Sequence, residues 1–226
     1  RYNQMSDKGE KMLRSKVIFL GSSGVGKTSL ISMFIEGKFS NTIPNTIGTS
    51  FLTREFHEKN IVHRMNVWDT AGQEKFESIT RIYFKDANAI IIVVDAGDEE
   101  SLEKAEVHLD NVRGNTTTAE YIILVVNKID LLKSYIEGVP ANDFVYKSCP
   151  FYEKIMQFYK TNDFKEIFWT SAKDHSSVCA IFDYIHEKVM DKTIQIEPSS
   201  TKSLHSGFKL SALAPADSPS KKSGCC

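Results

Sequence analysis

Short runs of consecutive apolar residues alternate along this chain with longer stretches in which apolar residues recur every three or four positions. Lys16–Leu20, Ile90–Val94, Tyr121–Val126 and Ile167–Thr170 are of the first kind. Runs this short, apolar on both faces, predict strands buried in the middle of a sheet. Ser50–Glu58 and Ile61–Trp68 flank Lys59 and Asn60 and predict a hairpin. A helix is predicted from Lys27 to Glu36, and a last one carries Val178, Ile181, Phe182, Ile185 and Val189 on one face. Strand–helix alternation of this kind predicts an α/β fold, a mostly parallel sheet with helices on both faces.

Composition narrows the class. The chain has 226 residues, 41% hydrophobic and 25% charged, as in an ordinary soluble globular protein. The longest apolar runs, Ala89–Val94 and Tyr121–Val126, fall far short of the roughly twenty residues that span a bilayer. A formal net charge of −1 offers no general field for nucleic acid. The pattern divides the chain into a flexible segment over residues 1–12, a globular domain over 13–190 and a tail over 191–226. The tail is dominated by Ser, Lys, Pro and Gly, cannot bury enough apolar area to offset ordering entropy, and is expected to be disordered. Of the four cysteines, Cys149 and Cys179 are expected to be free thiols, whereas Cys225 and Cys226 close the chain as a pair. The six histidines are scattered, with no metal-ligand spacing.

Chemistry enters after the first strand. Gly21-Ser-Ser-Gly-Val-Gly26-Lys27-Thr28 matches G-x-x-x-x-G-K-[ST] between a strand and a helix. Such a loop, from Ser23, Gly24, Val25 and Gly26 through Lys27, Thr28 and Ser29, wraps backbone N–H groups around phosphate oxygens at a helix N-terminus. Lys27 supplies a mobile charge for the outer phosphates and the Thr28 hydroxyl a ligand for Mg²⁺. The glycine order excludes the dinucleotide fingerprint. The loop alone does not separate a small-molecule kinase, an ATPase or a GTPase.

Three further motifs each follow a predicted strand. In Asp69-Thr-Ala-Gly72-Gln73 the acid can hold Mg²⁺ through water, Gly72 lets a backbone N–H reach a γ-phosphate, and Gln73 can orient a water for in-line attack. In Asn127-Lys128-Ile129-Asp130 the Asp130 carboxylate can accept from N1–H and the exocyclic amine of guanine, a donor pair that adenine lacks. Ser171-Ala172-Lys173 can turn backbone N–H groups on the guanine O6.

Taken together, these boxes resemble those of the small GTPases of the Ras superfamily, from about Lys16 to Met190. The resemblance implies a P-loop small-GTPase domain with a six-stranded, mostly parallel sheet, one antiparallel strand and helices on both faces. It implies GTP/GDP and Mg²⁺ as cofactors. By the same likeness, Thr46 corresponds to the Thr of a first switch that ligates Mg²⁺, and Phe39 to an aromatic packed edge-on against the base. Within the superfamily the chain is most similar to the Rab branch. Ile47-Gly-Thr-Ser-Phe51, Lys75–Thr80 and Tyr83-Phe84 resemble its switches, and Phe51, Trp68 and Tyr83 its state-reading aromatic triad. Cys225 and Cys226 resemble its double lipidation site.

What the resemblance implies functionally is a monomeric switch in vesicle trafficking. It would sit on the cytoplasmic face of an intracellular membrane and cycle with the cytosol. Its expected partners are an exchange factor, a GTPase-activating protein, a GDP-dissociation inhibitor, the prenylation machinery and effectors, with no nucleic acid. No arginine lies between Arg14 and Arg54, so the first switch offers no internal arginine finger and intrinsic hydrolysis is expected to be slow. Two other functions stay open at this level, a nucleotide-binding scaffold with little turnover and a metabolic P-loop kinase. The interval Leu131–Thr170 is longer than the family usually has. It is read as a helix plus an inserted loop, whose aromatics Phe144, Tyr146, Phe151, Tyr152, Phe158 and Tyr159 add packing to the flank.

Overall fold

The computed structural model describes residues 4–5, 10–44, 46, 48–71, 84–115 and 119–196, with the backbone alone at 4–5, 115 and 193–196. Gly72, Gln73, Tyr83, Cys225 and Cys226 lie outside the described residues. The strands are β1 (Gln4–Met5), β2 (Lys11–Leu20), β3 (Thr49–Glu58), β4 (Ile61–Thr70), β5 (Ala89–Asp95), β6 (Tyr121–Asn127) and β7 (Glu166–Trp169). The helices are α1 (Lys27–Glu36), α2 (Glu99–Asn115), α3 (Asp143–Lys147), α4 (Tyr152–Thr161) and α5 (His175–Ile196), with a 3₁₀ turn at Ile129–Leu131.

The sheet runs β3-β4-β2-β5-β6-β7. β3 pairs antiparallel with β4 and the remaining neighbours on this path are parallel, giving the six strands and one antiparallel member that the sequence predicts. The two-residue β1 adds an antiparallel rung to β2 at Met12 and Lys11. β2 therefore starts well before Lys16, and it pairs with β4 from Lys11 onward.

The period of two sorts the core. Ile18, Leu20, Ile90, Ile92, Val94, Leu124 and Val126 face α2 and α4, meeting Leu109, Val112, Ile155 and Phe158. Val17, Phe19, Ile91, Val93, Ile123 and Val125 face α1 and α5, meeting Phe34, Ile181, Phe182 and Ile185. Every residue of β5 is buried, which explains why this strand reads as an unbroken apolar run. Phe34 and Phe182 stack face to face at 3.6 Å and join α1 to α5.

Several expectations are corrected. α5 continues through Ile196, six residues into the stretch read as the start of the disordered tail. Residues 191–196 contain no Gly or Pro, and the first breaker is Pro198. The rest of the tail lies outside the described residues. The long interval after Leu131 holds two helices, α3 and α4, instead of one. Its aromatics do pack on the flank: Phe151 and Phe158 are buried, and Tyr146 and Tyr152 stack on Trp169 at 5.0 and 5.7 Å. Phe144 departs from that reading, being 74% exposed. Cys149 and Cys179 are buried, and neither forms a disulfide among the described residues.

The histidines are less scattered than their spacing suggests. His63 on β4 and His186 on α5 bring their Nδ1 atoms to 2.8 Å, and the His63 Nε2 meets the Ser15 hydroxyl at 2.7 Å. Phe56 stacks on both rings. Burial, reinforced by the neighbouring His186, lowers the His63 pKa to about 3. The unfolded chain protonates this ring near its ordinary 6.5 and the folded chain only near 3. Folding therefore loses stability as pH falls through that window, by up to about 1.4 kcal/mol per pH unit. Urea denaturation between pH 6.5 and 4 is expected to show a slope to which His108, lowered by burial to about 4, also contributes, and His63→Leu to make it shallower; an equal slope in the variant would contradict the assignment.

Candidate functional site

The loops that follow β2, β6 and β7 meet the end of β4 at the carboxyl ends of the strands. The crossovers from β2 diverge there, α1 leading to β3 and β4 on one side, β5 and β6 lying on the other. Ligands of open α/β sheets bind at this switch point. A cleft of about 310 Å³ lies there.

The loop after β2 forms one wall. Gly21 has φ +141, and a Cβ there would collide with the Val93 carbonyl oxygen. Gly26 has φ +97, and a Cβ there would collide with the Asn127 amide. No side chain caps the N-terminus of α1, which leaves its first-turn N–H groups for an anion. Lys27 is buried and donates from Nζ to the carbonyls of Gly21 at 2.7 Å and Ser22 at 2.9 Å. Burial lowers its pKa to about 8, against the pull of the Asp69 charge.

Thr28, Thr46 and Asp69 converge. The Thr28 hydroxyl donates to Asp69 Oδ2 at 2.6 Å and lies 2.8 Å from the Thr46 hydroxyl, which sits 3.4 Å from the same carboxylate oxygen. Burial pushes the Asp69 carboxyl above its ordinary range, against the Thr28 hydrogen bond and the Lys27 charge. Asp69 Oδ1 is buried and has no hydrogen-bond partner among the described residues. Two hydroxyls around a half-satisfied carboxylate form the hard oxygen set that Mg²⁺ takes, so these residues fit that ion.

The base side is built around Asn127, which is fully buried. Its amide donates to the Val25 carbonyl at 2.9 Å, and its Oδ1 accepts from Ala172 N–H at 3.2 Å and Thr170 Oγ1 at 3.3 Å. Two loops, those after β2 and β7, are thereby fixed to one side chain at the end of β6. Asp130 Oδ1 accepts from the Ser171 hydroxyl at 2.7 Å, and Oδ2 pairs with Lys173 at 2.8 Å. Burial works to raise the Asp130 carboxyl, but the hydrogen bonds from Lys173 and Ser171 prevail and hold it below its ordinary value. An ionised acceptor is what the N1–H and amine edge of guanine requires. Phe39 faces Lys173 across the cleft, ring centroid to Nζ 5.6 Å.

Ser23, Gly24, Gly26, Lys27, Thr28, Ser29, Phe39, Thr46, Asn127, Lys128, Asp130, Ala172 and Lys173 thus line one cleft. Val25 and Ser171 support it from behind, and Asp69 joins through Thr28. Phe51 and Trp68 pack together at 5.0 Å on the sheet. Sequence reasoning missed Asp95, whose Oδ2 pairs with Lys128 at 2.7 Å. No local pattern marks it; its place level with Asn127 comes from the pairing of β5 with β6.

The fold and cleft define a P-loop nucleotide-binding domain. The Ras family profile matches residues 16–191. Over 188 residues, 83% of this chain and 80% of the relative, it is 32% identical to a probable Rab-related GTPase of Acanthamoeba polyphaga mimivirus. It is 31% identical over 216 residues to GTP-binding protein ypt5 of Schizosaccharomyces pombe, 94% of each chain. It is 29% identical over 212 residues to Ras-related protein RABA1c of Arabidopsis thaliana, 93% of each. The chain belongs to the Ras family and, within it, to the Rab GTPases. It is a guanine-nucleotide-binding GTPase of membrane trafficking that works with regulators and effectors. The scaffold and metabolic-kinase readings are set aside by that membership. Among the described residues no helix is long and apolar enough to cross a membrane.

The Asn127 bracket gives a direct test. Asn127→Ala removes three buried hydrogen bonds and is expected to cost about 2–4 kcal/mol of stability, read by urea denaturation of the nucleotide-free protein. An unchanged midpoint would contradict the bracket.

Proposed function

We propose that this Rab-family GTPase reads its nucleotide through the residues of the cleft and switches through the γ-phosphate. The observation that carries the reading is the meeting of Thr28 and Thr46 hydroxyls on a buried Asp69 carboxylate whose Oδ1 has no partner among the described residues. That set would hold Mg²⁺, which when bound neutralises charge on the β- and γ-phosphate oxygens.

The chain's own residues do the rest. The N–H groups of Ser23 to Ser29 cradle the phosphates and Lys27 moves its ammonium from the Gly21 and Ser22 carbonyls onto the outer oxygens. Asp130 takes the N1–H and exocyclic amine of guanine, while N–H groups of the Ser171-Ala172-Lys173 turn donate to O6, the Ala172 N–H sharing its hydrogen between O6 and Asn127 Oδ1. Asn127 holds these walls in register. Gln73 positions the attacking water and the Gly72 N–H engages the γ-phosphate. Thr46 comes from the segment before β3 and Gly72 from the segment after β4, so loss of the γ-phosphate releases two segments at once.

Effectors then distinguish the two states at the surface of Phe51, Trp68 and Tyr83. An activating protein supplies the arginine that the first switch lacks, worth about 10³ to 10⁵ in rate. A GDP-dissociation inhibitor and the prenylation machinery handle lipids on Cys225 and Cys226. Two chains give stable anchoring where one is marginal, so the protein works on the cytoplasmic face of an internal membrane and exchanges with cytosol.

Single-turnover GTP hydrolysis tests the assignment of the water-positioning residue. Gln73→Leu is expected to bind GTP with Mg²⁺ as the unaltered chain does and to hydrolyse it at least ten-fold more slowly. Equal turnover would remove Gln73 from the mechanism.

A further inference from the structure

Asp95 ends β5 directly beside Asn127 on β6. Its carboxylate is held at both oxygens. Oδ1 accepts the Gly97 N–H at 2.9 Å and Oδ2 pairs with Lys128 Nζ at 2.7 Å. Its backbone is fixed as well: the Asp95 N–H donates to Ser101 Oγ at 2.9 Å, and the Ala96 N–H donates to the Asn127 carbonyl at 2.8 Å.

Lys128 needs such a partner. It lies in the left-handed region, φ +65, a conformation that side-chain-bearing residues adopt at a cost. Its flexible four-carbon stem lines the cleft between Asn127 and Asp130. The side chains of Lys128 and Asp95 are 32% and 12% exposed, so the pair is partly withdrawn from solvent and screened less than a surface pair.

Asp95 is not among the residues that line the cleft, and among the described residues its carboxylate meets a lining side chain at Lys128. We propose that Asp95 is a positioning residue for guanine-nucleotide binding: it pins the Lys128 ammonium so that the methylene stem stays along the base side of the cleft. The long interval after Leu131 takes part. Cys149 Sγ donates to the Ala96 carbonyl at 3.4 Å, and Lys154 pairs with Glu99 at the start of α2. These contacts brace the turn that carries the carboxylate, and they give the segment's packing a consequence at the cleft. The small Ala96 and Gly97 fit the same purpose: Ala96 is fully buried, and Gly97 brings its N–H onto Asp95 Oδ1.

The inference rests on Lys128 belonging to the base side of the nucleotide cleft. A double-mutant cycle on the full chain separates the two claims. Dissociation of radiolabelled GDP in the presence of Mg²⁺ is measured for Asp95→Asn, Lys128→Met and the double variant. Asp95→Asn is expected to speed release on the order of ten-fold, Asp95→Glu to restore much of it, and Asp95→Asn to add nothing in the Lys128→Met background. Unchanged release in Asp95→Asn while Lys128→Met releases faster would overturn the proposal alone. Full additivity, the mark of a merely structural acid, would also overturn it. Unchanged release in Lys128→Met would overturn the base-side reading of Lys128 and the proposal with it. Should Asp95→Asn not fold, Asp95→Ala takes its place in the same cycle.

Discussion

One buried amide holds the cleft together. Asn127 reaches from the end of β6 to the loop after β2 and to the loop after β7, segments separated by more than a hundred positions in sequence. Each loop alone is an irregular turn whose backbone groups water would satisfy equally well. Bound to one fully buried side chain, they become a single wall. The approach is close enough that the neighbouring loop position must be glycine, because a Cβ on Gly26 would occupy the space of the Asn127 amide. Phosphate cradle and base pocket are therefore fixed relative to one another by the protein's own hydrogen bonds, which lowers the ordering cost that a ligand would otherwise bear.

The phosphate end is built on opposed charges that are both buried. Burial shifts Lys27 and Asp69 in opposite directions, each toward its neutral form, while the charge of each favours ionisation of the other. Such a pair is poised for groups that bring charge of their own, phosphate for the lysine and a divalent cation for the carboxylate. Thr46 reaches this centre from a segment otherwise independent of the P-loop, through hydroxyl contacts to Thr28 and Asp69. A connection of that kind strengthens or breaks with what occupies the centre, which is the physical requirement for a switch.

Much of this was legible in the sequence because it is local. A strand, a glycine loop and a helix in succession specified α1 from Lys27 to Glu36, as observed. The two-residue turn at Lys59 and Asn60 set the register of β3 on β4. The heptad-like stripe on the last helix named four buried residues, Val178, Ile181, Phe182 and Ile185. What escaped is non-local or unpatterned. The His63–His186 contact joins residues 123 positions apart. Asp95 looked like any acid at a strand end, and its meaning depends on the register of β5 against β6. The polar composition after Met190 reads as tail, yet no helix breaker comes before Pro198 and α5 runs on to Ile196. The short α3 carries too few residues for a periodic signal.

Hydrogen exchange on the purified chain with Mg²⁺ tests most directly whether one bracketed cleft reads a guanine nucleotide. GDP is expected to slow amide exchange together in the loops after β2, β6 and β7, and ADP at the same concentration to leave all three unchanged. Equal protection by both nucleotides, or protection of the loop after β2 alone, would contradict the account.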